Sequence, residues 1–507
     1  MRVSQSIQAK YEELIRRCRE VTTLSSCSEL LSWDEETYMP PGGVEHRGRQ
    51  LALLAGLRHE LISSARVGEL LEALEGSSLT EEPDTAAAAN IREIRKFHDR
   101  RRKIPRELLE EIVQVSTIAT REWSAAYKTS DFPRFLPWLE RLVALKRREA
   151  EALEREGELY DALLEDYEPG ARSVKLEQVF ASLRRELVPL VEKIAGVRRQ
   201  PDLSILERAF PVDRQRAFSR LVAEQLGFDF TSGRIDETVH PFCARIGPGD
   251  SRIATRYSAT QFSQGLFAVI HEVGHAFYEQ GLDPEQAGTP AGDTASLGVH
   301  ESQSRLWENL VGRSQAFWTH FFPRAQETFG SVLKGVTLDA FHFAINRVGP
   351  TFVRAEADEV TYNLHVLVRF DLERALINGS LEPADLRGAW NERYRSYLGI
   401  EPPDDHSGCL QDGHWGSGLF GYFPTYTLGN MFSAQLYAKA VEDCGDFSAR
   451  FARGDFGDLL GWLRQNVHRR GRIFNADRLI EVVTGKPPSH KPLIAMLKTK
   501  YEALYGV

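Results

Sequence analysis

The chain has 507 residues, of which 42% are hydrophobic, 27% charged and 10% aromatic, an ordinary globular usage that excludes a disordered, collagen-like or disulfide-scaffold protein. With 63 Lys and Arg against 72 Asp and Glu the net charge is −9, so neither nucleic acid nor an anionic membrane surface gains a general electrostatic attraction from it. The five cysteines, Cys18, Cys27, Cys243, Cys409 and Cys444, are scattered without a Cys-x-x-Cys pair, which predicts reduced thiols in a cytoplasmic protein rather than a secreted framework.

Taken in chain order, Met1 to Arg17 carries charges throughout, and no later window stays apolar for about 18 residues, so neither a signal peptide nor a membrane span is expected. From Ser6 to about Pro201 the pattern is helical. Apolar residues recur at Ile7, Tyr11, Leu14, Ile15 and Cys18, and again at Leu139, Leu142, Leu145 and Ala150, with charges between them. Breaks at Met39 to Gly43 and around Gly76 to Pro83 separate helices but are too short for domain linkers, so residues 1–507 read as a single unit. The basic run from Arg92 to Arg106 reads as a solvated helix face balanced by Glu107, Glu110 and Glu111. Between Phe228 and Tyr257, Val239, Phe242, Ala244 and Ile246 alternate with other residues. Gly247-Pro248-Gly249-Asp250 then supplies a turn before Arg252 to Tyr257, which predicts a β-hairpin. Helices follow, interrupted by a Gly-rich irregular stretch from Glu401 to Tyr426 that is long enough to suggest function.

A helix is expected from Ser258, with Ser258-x-x-Gln261 as a capping box, Phe262, Leu266, Val269, Ile270, Val273 and Phe277 as its apolar face, and Gly281 as its C-cap. It carries His271-Glu272-Val273-Gly274-His275. Histidines four apart share a helix face and can converge on one ion, while Glu272 points to the flank where an attacking water would sit. A second helical segment, Ser296 to Val311, carries His300-Glu301-Ser302-Gln303 and can supply Glu301 as a third ligand. Two His and one Glu, with a position left open, form a catalytic zinc set. The same residues also read as half-buried helix histidines and an ordinary surface carboxylate. Asp404, Asp405, His406, Asp412 and His414 are conceivable as a second metal site, although flexible acidic loops have the same composition.

Several separate motifs resemble the Taq carboxypeptidase family of metallocarboxypeptidases, M32, along essentially the whole chain. They are Trp33-Asp34-Glu35-Glu36-Thr37-Tyr38-Met39-Pro40, His240-Pro241-Phe242, His271 to His275, His300 to Gln303 and Gly421-Tyr422-Phe423-Pro424-Thr425-Tyr426. Two motifs depart from the family pattern: Ala254 stands where its Asp-x-Arg-x-Thr ends in Thr, and Val353 where its Ile-Arg-x-x-Ala-Asp begins with Ile. The resemblance implies a mostly α, helical peptidase fold with a small sheet near the zinc site and a long substrate groove. It further implies a zinc on the groove floor, N-terminal helices within residues 1–75 as a lid, and a homodimer. It also implies substrate contacts at His240 and at Arg354, the arginine of the family's motif. Asp358, four residues on, is a candidate to orient Arg354, which also reads as a structural ion pair with Asp358 or Glu356.

Zinc would lower the pKa of a bound water and polarise the scissile carbonyl, with Glu272 as the base. Cobalt suits the same ligands. Tyr422 is a candidate oxyanion donor, with His406 or His414 as alternatives in the same stretch that meet the substrate. Three functions stay open on the residues: a carboxypeptidase acting on peptides, an endo-oligopeptidase on a similar helical fold, and a non-catalytic helical scaffold that retains a metal.

Overall fold

The helical periodicity of the first two-fifths of the chain is realised as α1 (Ile7–Thr37), α2 (Val44–Ile62), α3 (Ala65–Leu74), α4 (Ala86–Lys103), α5 (Arg106–Thr129), α6 (Phe132–Ala152), α7 (Leu159–Leu164) and α8 (Ser173–Ala195) in a computed structural model that describes residues 6–154 and 156–507. Capping sets several of the starts: the Ser6 hydroxyl accepts from Ala9 N, Thr85 from Ala88 N and Asp131 from Arg134 N, each satisfying an N–H the helix itself leaves open. The breaks fall where Pro and Gly require them, at the 3₁₀ turn Pro41–Gly43 and after α3. On α6 the apolar stripe Leu139, Leu142, Leu145 and Ala150 is buried as its spacing demands.

After α9 (Val212–Leu226) come β1 (Gly233–Glu237), β2 (Phe242–Gly247) and β3 (Asp250–Thr255). The expected hairpin is β2–β3, antiparallel with Cys243 opposite Ile253. Two details differ from expectation. Val239 lies outside the strand, 63% exposed. The sheet also has a third strand, β1, parallel to β3 with Gly233 opposite Ser251. Its sequence, Gly-Arg-Ile-Asp-Glu, has one apolar residue and so no alternation to read; as an edge strand it is held by the ladder, with Arg234 paired to Asp236 at 2.6 Å.

The sheet is covered by α10 (Phe262–Gly281), which packs on α11 (Leu297–Arg305). α10 starts at Phe262 rather than Ser258. The Ser258 hydroxyl bonds Thr260 N in a preceding turn, and Gln261 is the N-cap without a side-chain bond. Gly281 is the last helical residue rather than a left-handed cap; a Cβ there would come within 2.3 Å of His468 Nδ1, so close packing demands the glycine. α11 passes directly into one π-helical stretch, Leu306–Val311. The remaining helices are α12 (Gln315–Phe329), α13 (Leu338–Ile345), α14 (Tyr362–Asn378), α15 (Leu386–Leu398), α16 (Pro424–Cys444), α17 (Ser448–Phe451), α18 (Gly457–Asn466), α19 (Ala476–Thr484) and α20 (Lys491–Tyr505). The chain is thus mostly α with a small sheet, as expected. All five cysteines are unpaired, and no helix among the described residues is long and apolar enough to cross a membrane.

One large core runs from α5 to α20. A second, smaller one joins Leu14 and Ile15 of α1, Ile62 of α2, Leu70, Leu71 and Leu74 of α3, and Ile91 and Ile94 of α4.

Candidate active site

His271 and His275 leave the same face of α10, and α11, capped by the Ser296 hydroxyl accepting from Val299 N at 3.1 Å, presents Glu301 to them. Glu301 Oε2 lies 3.7 Å from His271 Nε2 and 3.4 Å from His275 Nε2, and one ligand atom of each residue falls within 4.8 Å of the others. Donors at zinc-like distances around a tetrahedral ion stand roughly 3.3 Å apart, so the spacing suits a divalent cation. The opposite ring nitrogens are already used. His275 Nδ1 sits 3.1 Å from the His300 carbonyl oxygen, which can only accept, so the proton is on Nδ1 and the Nε2 lone pair faces Glu301. His271 Nδ1 lies 2.9 Å from Glu308 Oε2, a carboxylate that fixes the ring in the same sense. Among the described residues no other His, Cys, Asp and Glu group is close enough to share an ion.

Glu308 was not singled out by sequence reasoning, although it stands two helical turns beyond Glu301 and one beyond Arg305, on the face that meets α10. The π-helical stretch carries it, and Arg305 and Arg313 hold it at 3.2 Å each. Burial works against ionisation of both carboxylates, yet the guanidiniums and imidazoles prevail. Arg305, His271 and His275 keep Glu301 well below the usual carboxylate range, and Arg305 and His271 bring Glu308 to about 2.

Glu272 differs from both. It is 6% exposed and has no hydrogen bond or ion pair to any described residue, and burial pushes its carboxyl up to about 7.

Two glycines make this geometry attainable. A Cβ on Gly274 would stand 2.6 Å from Ser304 Cα and 2.7 Å from the Gln303 carbonyl oxygen. One on Gly429 of α16 would stand 2.5 Å from Glu301 Cγ. Both helices therefore approach α11 at backbone distance, closer than any side chain permits.

Arg354 lies in a 3₁₀ turn, and its side chain is 11% exposed. Its partner is not Asp358. Nε and one terminal nitrogen bind Asp412 Oδ1 at 3.1 and 2.7 Å, and the other terminal nitrogen donates to the Tyr362 hydroxyl at 2.8 Å. Asp358 instead accepts from the N–H groups of Gly349, Val360 and Thr361 and caps the entry to α14. Asp412 also binds the fully buried Arg369 at 2.6 Å, so two guanidiniums share one carboxylate. The Tyr362 ring carries Arg305 over its face at 4.3 Å, which links Arg354 to the helix of Glu301.

From the irregular stretch, the Tyr422 ring packs 5.1 Å from Tyr167, 5.3 Å from His414 and 5.4 Å from Tyr426. Burial and the charge of Glu301 push its phenol up to about 12. His414 Nε2 lies 3.2 Å from the Tyr426 hydroxyl, and burial lowers the ring to about 4. These residues are gathered near Arg354, whose guanidinium sits 4.9 Å from the Tyr426 ring centre. His406 and His240 are not brought there. His406 stacks on Tyr127 at 4.0 Å and its Nδ1 bonds the Tyr127 carbonyl. His240 is exposed between β1 and β2, its side chain without a hydrogen bond or ion pair to any described residue. Asp405 is also engaged elsewhere, with Arg387 at 2.7 Å, so the run from Asp404 to His414 does not assemble a second metal site.

Two helix histidines, a carboxylate from the next helix and a free buried glutamate in a mostly helical chain have the make-up of a metallopeptidase. The model of the Carboxypeptidase Taq (M32) metallopeptidase family matches residues 13–501. Thermostable carboxypeptidase 1 of Thermus thermophilus is 49% identical over 98% of this chain and 99% of its own length. Carboxypeptidase 1 of Bacillus subtilis is 38% identical over 98% of both. The crystal structure of an M32 carboxypeptidase from Deinococcus radiodurans R1 superposes with a TM-score of 0.95 at 40% identity, covering 98% of this chain and 100% of that one. The chain belongs to the Carboxypeptidase Taq (M32) family and is a metallocarboxypeptidase, so the endo-oligopeptidase and non-catalytic readings fall away.

Proposed function

We propose that this enzyme is zinc-dependent, with cobalt able to replace zinc, and that it releases C-terminal residues from peptides with His271, His275 and Glu301 as ligands and Glu272 as general base. The observation that carries the reading is Glu272 itself, a buried carboxylate free of protein partners beside three residues whose donor atoms converge. A divalent ion held there would polarise the scissile carbonyl and acidify an attacking water. Glu272 accepts the water's proton on its free carboxylate oxygen and passes it to the leaving amine. Tyr422, in the aromatic cluster beside Arg354, is the group we assign to the carbonyl oxygen, with His414 as its alternative. Arg354, with Asp412 as its anchor, is assigned to the substrate's terminal carboxylate; a guanidinium is permanently charged and pairs with both oxygens. His240 and His406 are assigned to substrate further from the scissile bond.

We take residues 1–507 as one catalytic unit in which the helices within 1–75 form a lid over a substrate groove; Met1 to Gln5 lie outside the described residues. A homodimer follows from the family resemblance, and a cytoplasmic location from the unpaired, scattered cysteines; sedimentation at micromolar concentration should give twice the chain mass.

The deciding experiment is Glu272→Gln. The amide is nearly isosteric but cannot take a proton, so the variant should bind metal stoichiometrically and lose nearly all turnover. Turnover within a few-fold of wild type would remove Glu272 from the mechanism.

A further inference from the structure

A cleft lined by none of the residues assigned to the metal lies between α8, α14 and α15. Two contiguous cavities there, about 570 and 380 Å³, share Arg184, Asp371 and Arg393, a size that suits a small molecule. Its charges are incompletely matched. Arg184 lies 4.4 Å over the Tyr397 ring and donates to that hydroxyl, which in turn donates to Asp371 Oδ2. The guanidiniums of Arg184 and Arg393 reach the same oxygen only at 3.9 and 4.0 Å, the outer limit of an ion pair. Arg185, exposed at the mouth of the cleft, bonds the Ser182 hydroxyl and no carboxylate among the described residues. Arg374, at the far end, is by contrast closed by Glu158 and Glu177 at 2.6 and 2.5 Å.

The guanidiniums of Arg184, Arg185 and Arg393 thus line a cleft that also holds Asp371, the exposed Glu392 and Glu177, and none of the three makes an ion pair shorter than 3.9 Å among the described residues. The Asp371 Oδ1 atom accepts no hydrogen bond from any described residue, while its side chain is 29% exposed. Burial also holds this carboxyl above its ordinary range, the mark of a carboxylate that its neighbours do not fully satisfy. Open N–H donors on one wall and an open carboxylate oxygen beside them form a partly desolvated surface with both signs unspent. A ligand carrying an anion and a cation a few ångströms apart completes both.

We propose that this cleft binds a free α-amino acid, its carboxylate on Arg184, Arg185 and Arg393 and its ammonium on Asp371 Oδ1. The surplus of guanidinium over carboxylate favours an acidic side chain. Free amino acids are the product class of a carboxypeptidase, and the cleft is built on the helices that hold the Arg354 cluster. Asp371 follows Arg369 by two residues on α14. Arg393 precedes Tyr394 on α15, whose hydroxyl meets His365 and Gln411 at 3.0 and 3.2 Å.

Titration calorimetry of the full chain with L-glutamate tests the site. Saturable binding is expected, weakened at least tenfold by Arg185→Ala, by Arg393→Ala and by Asp371→Asn. It should persist in Arg354→Ala or, should that variant not fold, in Arg354→Gln, which also lacks the cation; this separates the cleft from product held in the catalytic site. Glutarate, which keeps two carboxylates but lacks the ammonium, and inorganic phosphate should bind at least tenfold more weakly. Absence of saturable binding would overturn the proposal. So would equal binding of glutarate or phosphate, or a loss that follows Arg354 rather than Arg185 and Arg393. None of these outcomes bears on hydrolysis, so the carboxypeptidase reading stands or falls separately.

Discussion

His271 depends on a residue outside every recognisable motif. Its Nδ1 is held by Glu308 at 2.9 Å, and Glu308 is itself braced by Arg305 and Arg313, so the ring's tautomer and direction come from a buried carboxylate. Glu308→Gln should lower metal affinity about 10- to 100-fold, the usual cost of losing such a partner, with the fold intact; competition against a chelator of known affinity measures it. Arg354 gives a second expectation at this scale. Truncating a buried charge-assisted contact costs about 2 to 5 kcal/mol, so Arg354→Ala should reduce kcat/KM by at least some tens of fold on peptides with a free C-terminus. On C-terminally amidated peptides the loss should vanish, and a loss equal on both would remove Arg354 from carboxylate recognition. The two cases also show what single residues disclose. His271 and His275 could be read from their spacing on one helix, and Arg354 from its motif. Asp412 could not be assigned to Arg354, because 58 residues separate the two and only the folded loop closes that distance; the local candidate, Asp358, was already needed by three backbone N–H groups.

At the scale of elements, α10, α11 and α16 meet where Gly274 and Gly429 replace side chains with backbone contact. In Gly274→Ala the new Cβ would overlap the backbone of Gln303 and Ser304, and neither is the far end of a flexible side chain. Separation of α10 from α11 would cost about 1 to 3 kcal/mol, as overpacking does, and would widen the gap between the histidines and Glu301. A lower melting temperature together with metal affinity weakened beyond that of any surface Gly→Ala variant is the expected pair of readings. The entry to α11 holds another testable element: Glu168, 2% exposed, accepts from Gly298 N, and burial lifts its carboxyl to about 8. A carboxyl whose folded pKa exceeds its unfolded value near 4.5 contributes stability in full below pH 4.5 and loses it as pH rises through 8. Glu168→Gln should therefore gain on wild type progressively from pH 5 to 9, read as the difference in melting temperature; a constant difference would refute a protonated Glu168. Of the elements, the hairpin and the long helices were legible because their apolar periods are strong. β1 was not, since an edge strand with one apolar residue is fixed by its ladder to β3, and the start of α10 was misread because Ser258 serves a turn that precedes the helix.

Across the whole molecule the division of the core matters more than any single contact. The cluster of α1 to α4 is separate from the core that holds α10 and α11, which carry the proposed metal ligands. Its attachments to the body include Trp33 of α1 against Ala244 and Ile246 of β2. At the other end, Arg19 and Thr22 bond the carbonyls of Glu285, Ala287 and Gly288, and Arg92 of α4 donates to the Ile473 carbonyl. Trp33 is flanked by Arg252 at 4.2 Å and Arg234 at 5.1 Å, so this attachment combines a small apolar contact with cation–π contacts rather than a continuous core. A unit with its own core, joined to the body by polar contacts and one small apolar patch rather than by shared core, opens at a lower free energy than the body, the property required of a lid that admits and releases peptides. Native-state hydrogen exchange should therefore show the amides of α1 to α3 exchanging together through an opening that leaves α10, α11 and α16 protected. Trp33→Ala, which removes the apolar part of one tie, should raise the exchange rate of that group at least tenfold while the rate at α10 stays the same. If α1 to α3 exchanged only with global unfolding, the N-terminal helices would be part of the body and the lid assignment would fail.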